Sequence, residues 1–498
     1  MISIKRLVVF LFCCLLIACR IDLSPSAQVN GLQNMPTMAL DIKKKQQQKD
    51  IFSQGNWPNK HWWRMYHSPQ LNALISEALA KNPSLQAVKQ RVNVAKQESV
   101  IVGSALFPLV FFNATDSAQY TSKNGLYRVF NPTFPLHAYV VDLSLSFTYD
   151  FDFWGKNHNL FYAALGKERA LRAEAANVKL IVTTALTQAY FAYKTNGLRE
   201  KLYEQLLFVR IRINELNHLM LHKGLYSALP PLRAEENVEE AKKLVAIIKE
   251  ERQIDRHLIN ILVGRGPDTP ISIDQPLADL PQKLTIPKTL SLNLLARRPD
   301  LMAQIWRAKA LAHKAGAAQA DFYPDVNIMG LAGLQSVAWA KLFETTSGTG
   351  VIRPAISLPI FTAGAIRANV RAKKSAFDAA IADYNKLVLQ STQEVLDVLA
   401  FASSVYQQKK EQVTIINAAE QRYKLTKLRE KHGLDSQFDT YYLQEDVIQK
   451  KLTDIVLLYN QYVASVKLVK SLGGGYCQLI VPLTHEKKLP VATNQQHL

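Results

Sequence analysis

Cys19 has the clearest chemical context of any residue in the chain. It ends the run Leu16-Ile17-Ala18-Cys19, which follows Lys5, Arg6 and an apolar stretch from Leu7 to Ala18. That stretch, about twelve residues, is shorter than the roughly 20 that a helix needs to cross a bilayer, and it fits the core of a secretory leader. The last four residues match a bacterial lipobox, in which cleavage leaves Cys19 first in the chain and its thiol takes a diacylglycerol. Arg20 stands where an inner-membrane retention signal carries Asp, so a lipid anchor in the outer membrane is expected. Cys13 and Cys14 leave with the leader, and Cys19 is blocked by lipid. Cys477 then has no internal partner, so stability must come from packing rather than disulfides.

The other reactive residue types lack the spacing that chemistry requires. The chain contains no H-E-x-x-H, G-x-x-x-x-G-K-[ST], C-x-x-C or G-x-S-x-G, and its histidines are scattered singly. No catalytic centre, metal site or cofactor is expected. Asp150 and Asp152 are two apart in a strand-like segment and so share a face, as paired acids would; beside Asp142 they read as solvated, pore-facing residues. Glu235, Glu236, Glu239 and Glu240 follow Pro230-Pro231, where acids favour a helix N-terminus. Gly264-Arg265-Gly266 follows a helix rather than a strand, which argues against a phosphate cradle. Lysine plus arginine outnumber aspartate plus glutamate 60 to 41, and losing Lys5 and Arg6 with the leader lowers the formal +19 to +17. Such an excess favours anionic partners. Without the interleaved aromatics of single-strand binders, it does not imply nucleic acid.

The elements that carry these residues follow from composition and repetition. With 48% hydrophobic and 20% charged residues in 498, the chain is not disordered. Glycine (20) and proline (21) are scarce, which points to long uninterrupted helices. The chain is also duplicated. Asn82-Pro83-Ser84-Leu85 matches Arg298-Pro299-Asp300-Leu301, and Phe107-Pro108 matches Tyr323-Pro324. Lys223-Gly224-Leu225-Tyr226-Ser227 matches His432-Gly433-Leu434-Asp435-Ser436, and Glu236-Asn237-Val238 matches Glu445-Asp446-Val447. The offset is 216 positions at Pro83 and 209 at Gly224. Each copy reads helix, strand, strand, very long helix, tight turn, helix. Between Ala365 and His432 there is neither Gly nor Pro, enough for a rod of about 100 Å at about 1.5 Å per residue.

The expected divisions are a leader at 1–18, a lipidated linker at 19–60, a first repeat at 61–264, a linker at 265–287, a second repeat at 288–475 and a tail at 476–498. Residues 20–55 and 477–498 read as periplasmic tails.

The strand segments alternate. Tyr139, Val141, Leu143, Leu145, Phe147, Tyr149, Phe151 and Phe153 share one phase. Asp142, Ser144, Ser146, Thr148, Asp150 and Asp152 share the other. One greasy and one polar phase is the signature of a transmembrane strand beside water. Asn113, Thr115, Ser117, Gln119 and Thr121 give the preceding strand its polar phase, with Asp116 out of place. Ile352, Ile356, Leu358 and Ile360 share a face in the second copy. Two hairpins supply four strands, yet a sheet in lipid must close and the smallest membrane barrels have about eight. Two, three or four copies would give 8, 12 or 16 strands.

Trp62-Trp63-Arg64-Met65-Tyr66, Pro69-Gln70-Leu71, Arg297-Arg298-Pro299-Asp300-Leu301 and Phe322-Tyr323-Pro324 occur in that order. Leu358-Pro359-Ile360-Phe361-Thr362-Ala363-Gly364 and Leu472-Gly473-Gly474-Gly475 complete the set. Together they resemble the outer membrane factor family of TolC- and OprM-like channels, over roughly residues 60–475. The resemblance implies an α+β membrane channel: a homotrimer whose four strands per chain close a 12-stranded β-barrel, continued by a periplasmic barrel of 12 long helices. It implies a passive conduit for small molecules or drugs, energised by an inner-membrane transporter and docked through a periplasmic adaptor. Protein secretion or heavy-metal export through the same architecture is the alternative. By the same resemblance, the turns at Gly224, Ser227, Gly433 and Ser436 meet the adaptor. Asp439, six residues after the turn glycine, matches the family's gating aspartate, with Asp435 as the alternative. Tyr442 stands where TolC has a second aspartate, which suggests one carboxylate ring beside an aromatic constriction.

Overall fold

The computed structural model describes residues 51–271, 273, 276–277, 280, 283–287 and 297–476. The leader, Cys19, most of the first linker and the tail after Tyr476 lie outside them. Among the described residues the order is β1 (Phe52–Gly55), a 3-10 turn (Trp62–Tyr66), α1 (Pro69–Lys81), α2 (Pro83–Ser104), β2 (Leu109–Tyr120), α3 (Leu126–Phe130), β3 (His137–Phe151), α4 (Lys156–His222) and α5 (Leu229–Val263). The second half follows with β4 (Leu284–Pro287), α6 (Pro299–Ala320), β5 (Asp325–Ser336), β6 (Gly348–Ser357), α7 (Ala365–Lys431) and α8 (Gln437–Ser471).

The duplication is structural. Corresponding helices α2 and α6 have 22 residues each, α4 and α7 have 67, and α5 and α8 have 35. Proline opens α2 and α6 at a position whose missing N–H costs nothing. The hairpins correspond as well: β2 pairs Leu109 with Thr148 of β3, and β5 pairs Asp325 with Ser357 of β6. The two pairings are related by the 216 and 209 offsets. β3 and β5 join the hairpins into one antiparallel sheet of order β2-β3-β5-β6.

The long helices are held by clusters along their length. Near its start α4 packs Ala170 and Ala173 against Met302 and Trp306 of α6. Farther on it packs Leu206, Val209 and Ile213 against Ile448 and Leu452 of α8. Between these levels lies an aromatic node. Trp62, Trp63 and Tyr66 pack with Ile75, Leu186, Tyr190 and Phe191, and the Phe191 ring stacks on Tyr462 at 3.8 Å. The Tyr66 hydroxyl lies 2.5 Å from Ser465 Oγ. The WWRMY motif therefore bolts the helices together at mid-height.

One expectation needs correcting. Residues 52–55 are not tail: they form β1, which pairs in parallel with β4 of the joining segment and buries Phe52, Leu284 and Ile286 against α7 and α8. Four-residue strands are too short to show a period, so alternation could not reveal them.

Copied ends make matching close approaches. At the end of α5, Gly264 has φ +91 and a Cβ there would lie 2.7 Å from the Lys81 carbonyl oxygen; at the end of α8, Gly473 has φ +86 and faces the Arg297 carbonyl in the same way. Both positions need glycine, for conformation and for room.

The α4–α5 contact also buries a carboxylate. Asp255 accepts a hydrogen bond from Asn196 Nδ2 at 2.8 Å, and burial, reinforced by Glu251, pushes it up to about 6. With the folded value above the unfolded one, the protonated form favours the fold. That contribution is complete below about pH 4 and is lost as pH rises through about 6. Asp255→Asn is therefore expected to stabilise the protein by about 1–2 kcal/mol at pH 7.5, allowing for the half-open position, and by almost nothing at pH 4. Thermal midpoints at the two pH values check this; an equal gain at both would contradict it.

Candidate functional site

The sheet has two unlike faces, although the polar one turns mixed toward the helices, where Phe111, Ser146 and Leu331 share a row, as do Leu109, Thr148 and Met329. Thr115, Asp142 and Gln335 lie side by side, as do Asn113, Ser144 and Gly333, and Asp150 pairs with Asn327. Ser144 Oγ donates to Asp142 Oδ1 at 2.6 Å, Gln335 Nε2 to Asp142 Oδ2 at 3.4 Å, and Asn113 Nδ2 to Ser146 Oγ at 2.9 Å. The opposite face carries Phe112 beside Leu145 and Ala332, then Val110, Phe147, Gly330 and Ile352. Phe151, Val326 and Ile356 end it. Leu145 is 55% exposed in the single chain, with no protein over it. This face is the more apolar one and suits hydrocarbon, while the other carries the hydrogen-bonding groups that suit water.

Asp142 and Asp150 thus lie on the polar face, but Asp152 does not. β3 stops at Phe151, and the Asp152 side chain is only 8% exposed. Its carboxylate accepts the backbone N–H groups of Asn157 (3.0 Å) and His158 (2.8 Å), and lies 2.5 Å from His158 Nδ1. The first turn of α4 has unpaired N–H groups, and Asp152 is the carboxylate that satisfies them. Thr121 similarly falls past the end of β2, and Leu358 and Ile360 past β6. The misplaced Asp116 finds a donor in Trp339 Nε1 at 3.1 Å, a pairing across 223 positions that no local pattern announces.

At the other end of α4 and α7, Gly224 (φ +70) and Gly433 (φ +73) turn the chain, each with open space where a Cβ would stand. The Leu225 N–H bonds back to Met220 O and the Leu434 N–H to Arg429 O, both at 2.9 Å. Beyond these bonds the copies differ. Ser436 caps α8: its Oγ accepts the Asp439 N–H at 3.2 Å, and Asp439 Oδ2 accepts the Ser436 N–H at 3.0 Å. Ser227 caps nothing, because α5 begins after Ala228 with Leu229-Pro230-Pro231. The two prolines have no N–H to satisfy.

Of the candidate gate residues, Asp435 sits in this turn, and Asp439 and Tyr442 in the start of α8. Asp439 is exposed, and hydrogen bonds from the Ser436 hydroxyl and N–H hold its carboxyl below the usual range. Asp435 receives two bonds from Arg429, at 2.7 and 2.9 Å. Tyr442 stacks on Phe438 (6.4 Å), which stacks on Tyr226 of the other turn (6.0 Å). Sequence reasoning missed Phe438 and Tyr226 as partners of Tyr442, although both lie in the repeated turn segments. It also missed Arg210, which joins Glu445 of α8 at 2.8 Å and Glu240 of α5 at 3.2 Å.

Comparison with known proteins puts a family on this geometry. A family described as outer membrane efflux protein matches residues 74–265 and 290–474. The multidrug resistance outer membrane protein MdtP of Escherichia coli K12 is 28% identical over 427 residues, covering 84% of this chain and 87% of that protein. The probable efflux pump outer membrane protein TtgC of Pseudomonas putida is 27% identical over 425 residues, covering 83% and 85%. Among solved structures, the outer membrane protein VceC of Vibrio cholerae superposes with a TM-score of 0.75 at 28% identity, over 84% of this chain and 100% of VceC. With both copies matched in order and a fold shared along the whole of VceC, this chain belongs to the outer membrane efflux protein family.

Proposed function

We propose that three copies of this chain form the exit conduit of a tripartite pump, passing small molecules or drugs from the periplasm to the exterior. The observation that carries this reading is a two-faced sheet of four strands whose outer strands, β2 and β6, each lack a neighbour on one side among the described residues. In lipid such edges must be paired. The internal duplication indicates how. β3 meets β5 with Thr148 opposite Met329. Transferring that junction by the two offsets places Ser357 of β6 opposite Asn113 in β2 of the next copy. It also extends β6 through Leu358 and Ile360, which are exposed in the single chain, Ile360 to 85%. Three copies then close 12 strands, above 12 columns of helix in the periplasm.

The other roles follow the same reading. Cys19 anchors the chain through lipid. The turns at Gly224, Ser227, Gly433 and Ser436 receive the adaptor, which links the conduit to the inner-membrane transporter. Asp439, with Asp435 and the stacked Tyr442, narrows the periplasmic entrance. The conduit itself supplies no energy and performs no chemistry.

Assembly is tested in a Cys477→Ser background with Asn113→Cys and Ser357→Cys. Oxidation is expected to give a ladder ending at the trimer, and Asn113→Cys with Arg353→Cys, four positions out of register, to give none. A ladder ending elsewhere, or none from the first pair, contradicts the junction. Transport is tested by gene deletion: susceptibility to several unrelated compounds should rise and be restored by the intact gene. A defect confined to one exported protein or to metal tolerance would indicate the alternative cargo. For the gate, single-channel conductance is expected to be blocked by divalent cations from the periplasmic side, and the block to disappear in Asp439→Ala. Unchanged block in both Asp439→Ala and Asp435→Ala removes both residues from the role.

A further inference from the structure

We propose that a groove between α4 and α5, well away from the sheet and the turns, binds an organic anion bearing carboxylate or phosphate groups. The groove opens beside Tyr193 and Gly197 of α4, and its main cavity is about 490 Å³. Along α5, Lys249, Arg252 and Arg256 present cations at spacings of three and four, which places them on one face. Lys194 and Lys201 add two more from α4, against only Glu200 and Glu204 among the acids that line it. Those acids are already engaged, Glu200 with Arg252 at 2.8 Å and Glu204 with Lys249 at 3.5 Å.

Two features separate this from an ordinary basic surface. The Nε atoms of Arg252 and Arg256 are both buried and have no hydrogen-bond partner. Buried donors are nearly always satisfied; Arg252 Nε packs on α4 at Gly197, so it is Arg256, without an ion-pair partner among the described residues, that calls for an acceptor beside the other cations of this face. An oxyanion is the acceptor that suits them best. The Arg252 guanidinium is also fixed in place. It lies 4.7 Å from the centre of the Tyr193 ring and rests on the bare helix at Gly197, whose Cβ, if present, would be 3.5 Å away.

Ile273, Pro276 and Leu277 of the joining segment add apolar side chains to the lining, and Lys194 Nζ lies 3.5 Å from the Ile273 carbonyl oxygen. The cavity is several times larger than one phosphate group needs. Both facts favour an anion carried on an organic frame over a bare inorganic ion. Arg256 stands four positions after Arg252 on α5, a spacing at which like charges repel.

The full-length protein in detergent tests this by its thermal midpoint in citrate, tripolyphosphate or inorganic phosphate, each compared with sodium chloride at equal ionic strength. Citrate or tripolyphosphate is expected to raise the midpoint, and a larger rise with one of them tells carboxylate from phosphate chemistry. Arg256→Gln is expected to match or exceed the wild-type midpoint in chloride and to lose the anion-specific rise. Lys201→Gln, on the open rim, is expected to weaken the rise without changing the midpoint in chloride. No rise beyond chloride in the wild type, or the same rise in Arg256→Gln, overturns the proposal. A rise of equal size with inorganic phosphate alone overturns the organic frame.

Discussion

Arg298→Met is expected to destabilise the folded chain by about 3–5 kcal/mol, the usual cost of removing one partner from a buried ion pair. Arg298 is 8% exposed and reaches three elements at once. Its Nε and Nη2 donate to Asp300 at the start of α6 at 3.1 and 2.8 Å. Nη1 donates to Glu394 of α7 at 2.7 Å and to the Ser471 carbonyl at the end of α8 at 3.1 Å. Without the guanidinium, two carboxylates and a helix-terminal carbonyl are left to face one another. Asp300→Asn with Glu394→Gln in the same chain should recover part of the loss. The first copy gives an internal control. At the matching position, Asn82 accepts the Leu85 N–H at 3.1 Å and donates to the Leu262 carbonyl at 2.8 Å, with no charge involved. Asn82→Ala should therefore cost only about 1 kcal/mol, the value of a helix cap. Denaturant or thermal midpoints measure both, and similar losses at the two positions would show that the charge cluster does not matter.

The second large effect concerns the sheet. Leu145→Arg is expected to cost about 2–4 kcal/mol, as cations do on the lipid face near the middle of a barrel. Ser146→Arg, one residue on and on the polar face, should be almost neutral. The readout is the yield of heat-resistant oligomer from outer membranes. Cysteine at the same two positions gives an independent check: a polar thiol reagent should label Ser146→Cys and leave Leu145→Cys unmodified. Equal labelling, or equal tolerance of arginine, would mean that the two faces do not meet different solvents.

What could be read from the sequence was what repeats or alternates. Scarce glycine and proline announced α4 and α7, alternation announced β3, and the matched Gly-Leu-x-Ser segments located both turns. What escaped depended on contacts made at a distance. β1 and β4 are four residues each and exist only because Phe52, Leu284 and Ile286 find a shared core. Asp152 kept the phase of β3 in sequence, but the strand ends before it and α4 recruits its carboxylate. The repeat pairs Ser227 with Ser436, yet only Ser436 caps a helix, because the proline pair after Leu229 removes the donors that Ser227 would have served. The kinship of Arg298 with Asn82 was visible in the repeat, whereas Glu394, 96 positions on, was not.

The equal lengths of the paired helices bear on how such a gene can change. The second copy is seven positions shorter, and the whole deficit falls between Pro324 and Ala365, in the hairpin and its connections. The 22-, 67- and 35-residue rods keep their counts. Dropping one residue from α7 alone would withdraw its turn by about 1.5 Å and rotate everything beyond by about 100°. The Tyr226–Phe438 stack would come apart, and the two turns would no longer end level. Insertions and deletions should therefore accumulate freely in the outer hairpins. In the rods they should survive only when both halves of the gene acquire them together.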